Sequence, residues 1–276
     1  MIQRIIGAGA RAFMVAMLIA LPALTLRGVS ADTTQMVALL ALLAALLTFV
    51  EYYSLYPSVI EFRNAPPFNR LRFVALFLTV VLLTAISHGV TDPTLLSQTL
   101  TNIGARIGAA MDFPFSPVRL MVLLVPHDAP LAVLEKVRTH AGLAYLISFS
   151  SMLIFVALVR VLNWPIRKGA FNFWVNLPLF DPTAGGDVIF RLKRDAHVNV
   201  ALGFLLPFLI PAVMKAATGI ADPISLSDPQ TLIWTMTAWA FLPASLMMRG
   251  IALSRIAELI EEKRRRAYAQ TEYQAA

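Results

Sequence analysis

The residues best placed to do chemistry in this chain lie in DVIFRLKRDAHVNVALGFLLPFLIP, residues 187 to 211. At helical spacing Asp187, Arg191, Asp195 and Asn199 follow one another at i+4, and Gly203, Pro207 and Pro211 extend the same ridge into an apolar run. Asp187 and Asp195, with Asp181 close by in sequence, could hold a divalent cation against a headgroup phosphate, as a lipid-processing enzyme would require. Their spacing matches no acidic metal motif. The ridge also has a structural reading. Asp187 caps a helix, Arg191 and Asp195 continue an i,i+4 charge ladder, Gly203 permits close helix approach and the two prolines bend the chain. Asn199 lines up with both ladder and bend, so this face is expected to meet another helix or a cavity rather than lipid.

Other chemical groups are sparse. His88 and His140 end and open two apolar runs on what reads as the outer side, where a pair of histidines could face each other across a haem. Only Gly89 offers the small neighbours such a site needs, so they are read as interfacial histidines and no cofactor is expected. His127-Asp128 has no second ligand at zinc spacing. The Gly-Gly of DPTAGGD is followed by Asp187, which puts negative charge where a phosphate would sit. No GxSxG, HExxH or GxxxxGK[ST] pattern occurs, and the absence of cysteine excludes disulfides and thiol catalysis. No catalytic residue or metal ligand is assigned.

The elements that must carry these residues are set by composition. Apolar residues make up 58% of the chain and charged residues 14%, well below the roughly 25% usual in soluble domains. Six runs are long enough to cross a bilayer, at about 12–27, 35–55, 71–90, 141–163, 198–218 and 231–250. None alternates like a barrel strand. The expected fold is an all-α integral membrane protein, a six-transmembrane-helix bundle over residues 1–250 followed by a basic helical tail over 251–276. With the N-terminus inside, seventeen of the 23 Lys and Arg fall on inner segments, so both termini are expected in the cytoplasm of a bacterial-type inner membrane. The formal net charge of +7 is thereby explained without nucleic acid. A competing reading of the first run is a cleaved signal peptide ending at VSA, which Arg27 and the long amino-terminal region disfavour.

The remaining segments read as interfacial. Tyr52, Tyr53 and Tyr56 sit where the second span leaves the hydrocarbon, and Phe171, Phe173, Trp174, Leu177, Leu179 and Phe180 are expected at the inner headgroup level beside Arg167 and Lys168. Glu51, Arg160, Lys215 and Arg249 fall near span ends, where snorkelling suffices. Glu51, Glu61, Arg63, Arg70 and Arg72 are charges able to pair among themselves. Between spans 3 and 4, Leu96, Leu100, Ile103 and Ile107 give an outer amphipathic segment, and PVRLMVLLVP reads as part of a lid rather than a re-entrant loop. In the tail, Glu258 and Glu262 with Arg266, and Glu261 with Arg265, give pairs at i,i+4 spacing, so a solvated helix carrying topogenic charge is the expected reading; Ile251, Leu253, Ile256, Leu259 and Ile260 also give its first turns an apolar side able to dock on inner loops or another subunit. These features suggest a non-catalytic accessory, assembly or scaffold protein whose partners are membrane lipid, another integral membrane protein or a second copy. A small-solute transporter or channel using span 5 is the alternative, and a lipid-headgroup enzyme the third reading.

Overall fold

A computed structural model describes residues 2–126, 128–165, 171–181, 183, 186–217 and 225–275, with side chains described up to residue 270. His127, Arg167, Lys168, Pro182 and Gly185 lie outside the described residues. The chain is 78% helix with no strand among the described residues. This follows from the solvent: hydrocarbon offers no hydrogen bonds, so each spanning segment must satisfy its own backbone. The elements are α1 (Ile2–Thr25), α2 (Ala31–Tyr53), α3 (Phe68–His88), α4 (Leu95–Met111), α5 (Pro117–Val122), α6 (Leu131–Val161), α7 (Phe173–Asn176), α8 (Val188–Ala217) and α9 (Pro229–Ala275).

Six of these, α1, α2, α3, α6, α8 and α9, are long and apolar enough to cross a membrane, which makes this a multi-pass membrane protein. Several run well past the apolar windows. α1 begins at Ile2, α6 at Leu131 and α8 at Val188, and α9 continues unbroken through the tail. Hydropathy marks only where side chains are apolar, whereas the i→i−4 ladder continues as long as nothing interrupts it. The short helices α4, α5 and α7 occupy the connections.

One close contact joins α8 to α9. A Cβ added at Gly203 would stand 2.7 Å from the Pro243 carbonyl oxygen, and one at Gly250 2.8 Å from the Ala196 carbonyl oxygen. Small residues on both helices thus let the backbones touch, the usual route to helix association where lipid and side chain are equally apolar. The prolines belong to the same seam. Pro211 has no N–H to give the Pro207 carbonyl four residues before it. The Trp239 indole Nε1 of α9 donates to that carbonyl at 3.0 Å, so the neighbouring helix satisfies what the proline leaves open. Asn199, Gly203, Pro207 and Pro211 are all buried, as expected for a face turned toward another helix.

A second close contact sets α4 on α6. Added Cβ atoms at Gly108 and Gly142 would meet the Arg138 carbonyl oxygen at 2.7 Å and the Gly108 Cα at 2.5 Å. The packed face of α4 is therefore Ser97, Gly104 and Gly108. Of the four residues expected to share an apolar face, Leu96 and Ile103 are 67% and 50% exposed and Leu100 and Ile107 half-buried, so the packed face is a different one. Large apolar groups gain little by leaving lipid, so small ones take the contact. α5 inserts Val118, Met121 and Val122 into the core that holds Leu232, Ile233 and Met236 of α9. The Asp112 carboxylate ties this corner together, 2.8 Å from Arg138 and 3.2 Å from Arg119. In contrast, α2 makes helix contacts with α1 alone and exposes Leu39, Leu43, Leu46 and Leu47.

Gly203→Val and Gly250→Val should each force α8 from α9 and cost about 1–3 kcal/mol by overpacking. The check is thermal unfolding of the purified protein in mild detergent. Gly9→Ala should leave the midpoint unlowered, because a Cβ there meets nothing within 4 Å.

Candidate functional site

The described parts of the connections α2–α3 and α6–α8 meet at one end of the bundle, here called the basic end. The connections fold inward. Trp164, fully buried, donates from Nε1 to the Ala65 carbonyl at 3.2 Å and packs on Phe62 and Phe155 with ring centroids 5.6 and 5.2 Å apart. Phe68 completes the cluster, 4.6 Å from Phe62 and 5.3 Å from Phe155. Asn176 joins the two connections: its carbonyl and side-chain oxygens accept the N–H groups of Phe62 and Asn64 at 2.6 and 3.0 Å.

This plug corrects the expected row of headgroup aromatics. Leu177 and Phe180 are buried in the core, while Trp174 and Leu179 remain 56% and 69% exposed. Phe173 is half-buried against Phe171 and Phe180, at centroid distances of 5.3 and 5.9 Å. Of the three tyrosines, Tyr53 and Tyr56 are exposed, and Tyr53 stacks on Phe49 at 5.7 Å. Tyr52 turns inward, its ring lying 4.7 Å beneath the Arg11 guanidinium.

The charges also settle differently from the expected snorkelling and local pairing. Glu51 is buried and folds back onto the loop that follows α2. There it accepts the N–H groups of Ser58, Val59 and Ile60 at 2.9 to 3.1 Å. Arg63 donates to the carbonyls of Glu51, Ser54 and Leu55. Glu61 forms a bidentate pair with Arg249 of α9, at 2.6 and 2.8 Å. Arg72 pairs with no carboxylate. Its guanidinium donates to Ser245 Oγ and to Asn69 Oδ1, lies 5.2 and 5.9 Å from the Phe68 and Phe241 ring centroids, and leaves Nε buried without a hydrogen-bond partner.

Two depressions result. One is a pocket of about 530 Å³, open to the exterior and here called the inner cavity, bounded by α1, α2, α3, α8, α9 and the connections, with Thr48, Tyr52, Glu61, Asn69, Arg72, Asn199 and Arg249 as its polar lining. The other is a surface groove of about 950 Å³ between the connections and the tail of α9. Its floor includes Phe171, Phe173, Ile256, Leu259 and Ile260, and its rim Lys263, Arg264 and Arg266. The tail is thus docked rather than solvated in its first turns: Leu253, Ile256 and Ala257 are buried, and residues 262–270 are exposed.

The opening ridge divides between these features. Asn199 reaches the inner cavity, although its Nδ2 is also tied to the Asp195 carbonyl at 2.7 Å. Asp187 precedes α8 and accepts from Arg264 at 2.9 Å, which holds its carboxyl below the ordinary value. The expected i,i+4 ladder is not formed. Arg191 instead donates to the Asp181 carbonyl and covers the Phe180 ring at 4.6 Å, while Asp195 pairs with its neighbour Arg194 at 3.1 Å. For Asp187 and Arg191 a partner on another segment replaces the next turn, whereas Asp195 pairs with its own neighbour on α8. Arg191 and Asp195 line neither depression. The tail pairs do follow the expected spacing, Arg265 with Glu261 at 3.2 Å and Arg266 with Glu262 at 3.8 Å.

No group of three or more histidine, aspartate or glutamate side chains at metal-binding separation occurs among the described residues. His140 is fully buried rather than interfacial. Its Nδ1 donates to the Lys136 carbonyl at 2.8 Å, which leaves Nε2 to accept from Ser87 Oγ at 2.9 Å. Both ring nitrogens are engaged, an arrangement that suits a structural histidine rather than an axial ligand.

The cavity residues missed by local reading are Glu61, Asn69, Arg72 and Arg249. Glu61 and Arg249 are 188 positions apart, beyond any spacing rule. Arg72 did carry a signal: it lies one turn inside α3 with Phe68 and Leu76 at i−4 and i+4, so its own helix offers no counter-charge. Glu61→Gln should destabilise the fold by about 3 kcal/mol, the low end for breaking a buried pair, since Arg249 keeps 28% of its side chain exposed. Thermal unfolding of this variant beside Glu261→Gln, whose carboxylate pairs with Lys193 and Arg265 at the surface, checks the difference; the tail change should lower the midpoint far less.

The chain matches no family model, no curated protein and no solved structure.

Proposed function

We propose that this is a non-catalytic membrane protein whose basic end faces the cytoplasm of a bacterial-type inner membrane and holds anionic lipid, serving as an accessory or scaffold for a larger membrane assembly. The observation that carries this reading is the groove. An apolar floor suited to acyl chain shares the groove with Lys263, Arg264 and Arg266, suited to phosphate, of which Arg264 and Arg266 also pair with Asp187 and Glu262. The concentration of basic residues on the inner segments supports the orientation. The exposed apolar surface of α2 and the projecting tail supply faces for another membrane protein or a second copy.

A second reading, a small-solute transporter, is favoured by the inner cavity reaching Asn199. Beyond Asn199, however, the α8–α9 seam at Gly203 is packed backbone to backbone, which leaves no room for a path between these two helices at that level. A lipid-headgroup enzyme finds less support, because Asp187 is committed to Arg264 and Asp195 to Arg194.

Native mass spectrometry of the protein released from anionic membranes should find phosphatidylglycerol or cardiolipin retained. Replacing Lys263, Arg264 and Arg266 together by Gln should reduce that retention at least tenfold while the protein stays monodisperse. Unchanged retention would remove the groove as its basis. Asn199→Leu separates the two readings: it should leave lipid retention intact, whereas solute flux in proteoliposomes abolished by this change would favour the transporter.

A further inference from the structure

The inner cavity contains one feature that neither the tail groove nor the bundle packing requires. Its charged lining is Glu61, Arg72 and Arg249, one negative and two positive. Glu61 spends both oxygens on Arg249. Arg72 is therefore a guanidinium held among two phenyl rings, a hydroxyl and an amide oxygen, with its Nε buried and unpartnered; among the described residues no carboxylate forms an ion pair with it, and Glu61 acts on it only across a longer distance. Phenyl faces return only a small part of the hydration such a cation gives up. An oxyanion in the cavity would supply charge compensation to this guanidinium and accept from those of its N–H groups that reach the lining.

The lining is mixed rather than purely ionic. Val15, Phe73 and Leu246 line it about one helical turn, some 5 Å, further from the basic end than Arg11, Asn69 and Arg249; Arg72 lies beside Phe73 at that depth, and Val59, Ile60 and Leu179 of the connections line the basic end. Apolar side chains on both sides of a cation fit an amphiphile better than a free ion. The volume of about 530 Å³ accommodates a headgroup and the first part of one chain.

We infer that this cavity is an oxyanion site, in which Arg72 receives the phosphate or carboxylate of an amphiphile while Asn69 and Tyr52 contribute polar contacts and Val15, Phe73 and Leu246 receive the start of its hydrocarbon. The site is separate from the tail groove and does not rest on it.

The test uses the full-length protein, delipidated in a neutral detergent, with dioleoylphosphatidylglycerol, oleate and inorganic phosphate as separate probes, each measured by calorimetric titration. Binding of phosphatidylglycerol or oleate that weakens at least tenfold in Arg72→Gln, with Arg106→Gln at the opposite end as a charge control, supports a membrane-derived ligand. Binding of phosphate alone, with the same loss, supports the oxyanion site with a soluble source. Leu246→Trp fills the apolar part of the cavity without touching charge; it should weaken the amphiphiles and spare phosphate, and it remains informative if Arg72→Gln does not fold. Equal affinity of wild type and Arg72→Gln for every probe, absence of binding by all three, or full amphiphile affinity in Leu246→Trp would overturn the inference.

Discussion

The contact between α8 and α9 is the constraint on which the rest of this molecule depends. In hydrocarbon an apolar side chain gains nothing by moving from lipid to a neighbouring helix, so association must come from close packing and from polar groups that find no other partner. Gly203 and Gly250 provide the first, and the Trp239 indole on the Pro207 carbonyl provides the second. Because α9 is one unbroken helix, the angle set at this seam also decides where its far end lies. Arg249 is thereby brought to Glu61, Ser245 to Arg72, and Ile256 to the aromatic plug.

The basic end is organised around the cost of burying charge. Each carboxylate there is spent inside the protein, Glu51 on backbone N–H groups and Glu61 on a guanidinium from another helix. Two guanidiniums find internal partners of different kinds, Arg63 three carbonyls and Arg249 a carboxylate. Arg72 alone among these is given aromatic faces and neutral acceptors. The connections help by making a dry core from loop residues: Trp164, Phe62 and Leu177 are almost fully buried although none lies in a spanning helix. A loop can be buried at this depth because Asn176 and the Ala65 carbonyl satisfy backbone and indole groups that would otherwise be stranded.

The six apolar helices were legible in the sequence, because the length of an apolar run is a property of the run itself and the bilayer thickness does not depend on the fold. So were the buried ridge from Asn199 to Pro211 and the ion pairs of the tail, since both follow from 3.6-residue periodicity within one helix. Everything that required two elements to meet was decided by tertiary structure. Asp187 left its own ladder for Arg264, 77 residues away, and α4 turned its glycines rather than its leucines to α6. Glu61, Arg72, Arg249 and Asn199 became one cavity. Local periodicity specifies which residues share a face, but in a lipid solvent it does not specify which face is used. That choice belongs to the pairs of surfaces that can approach most closely and leave the fewest polar groups unsatisfied.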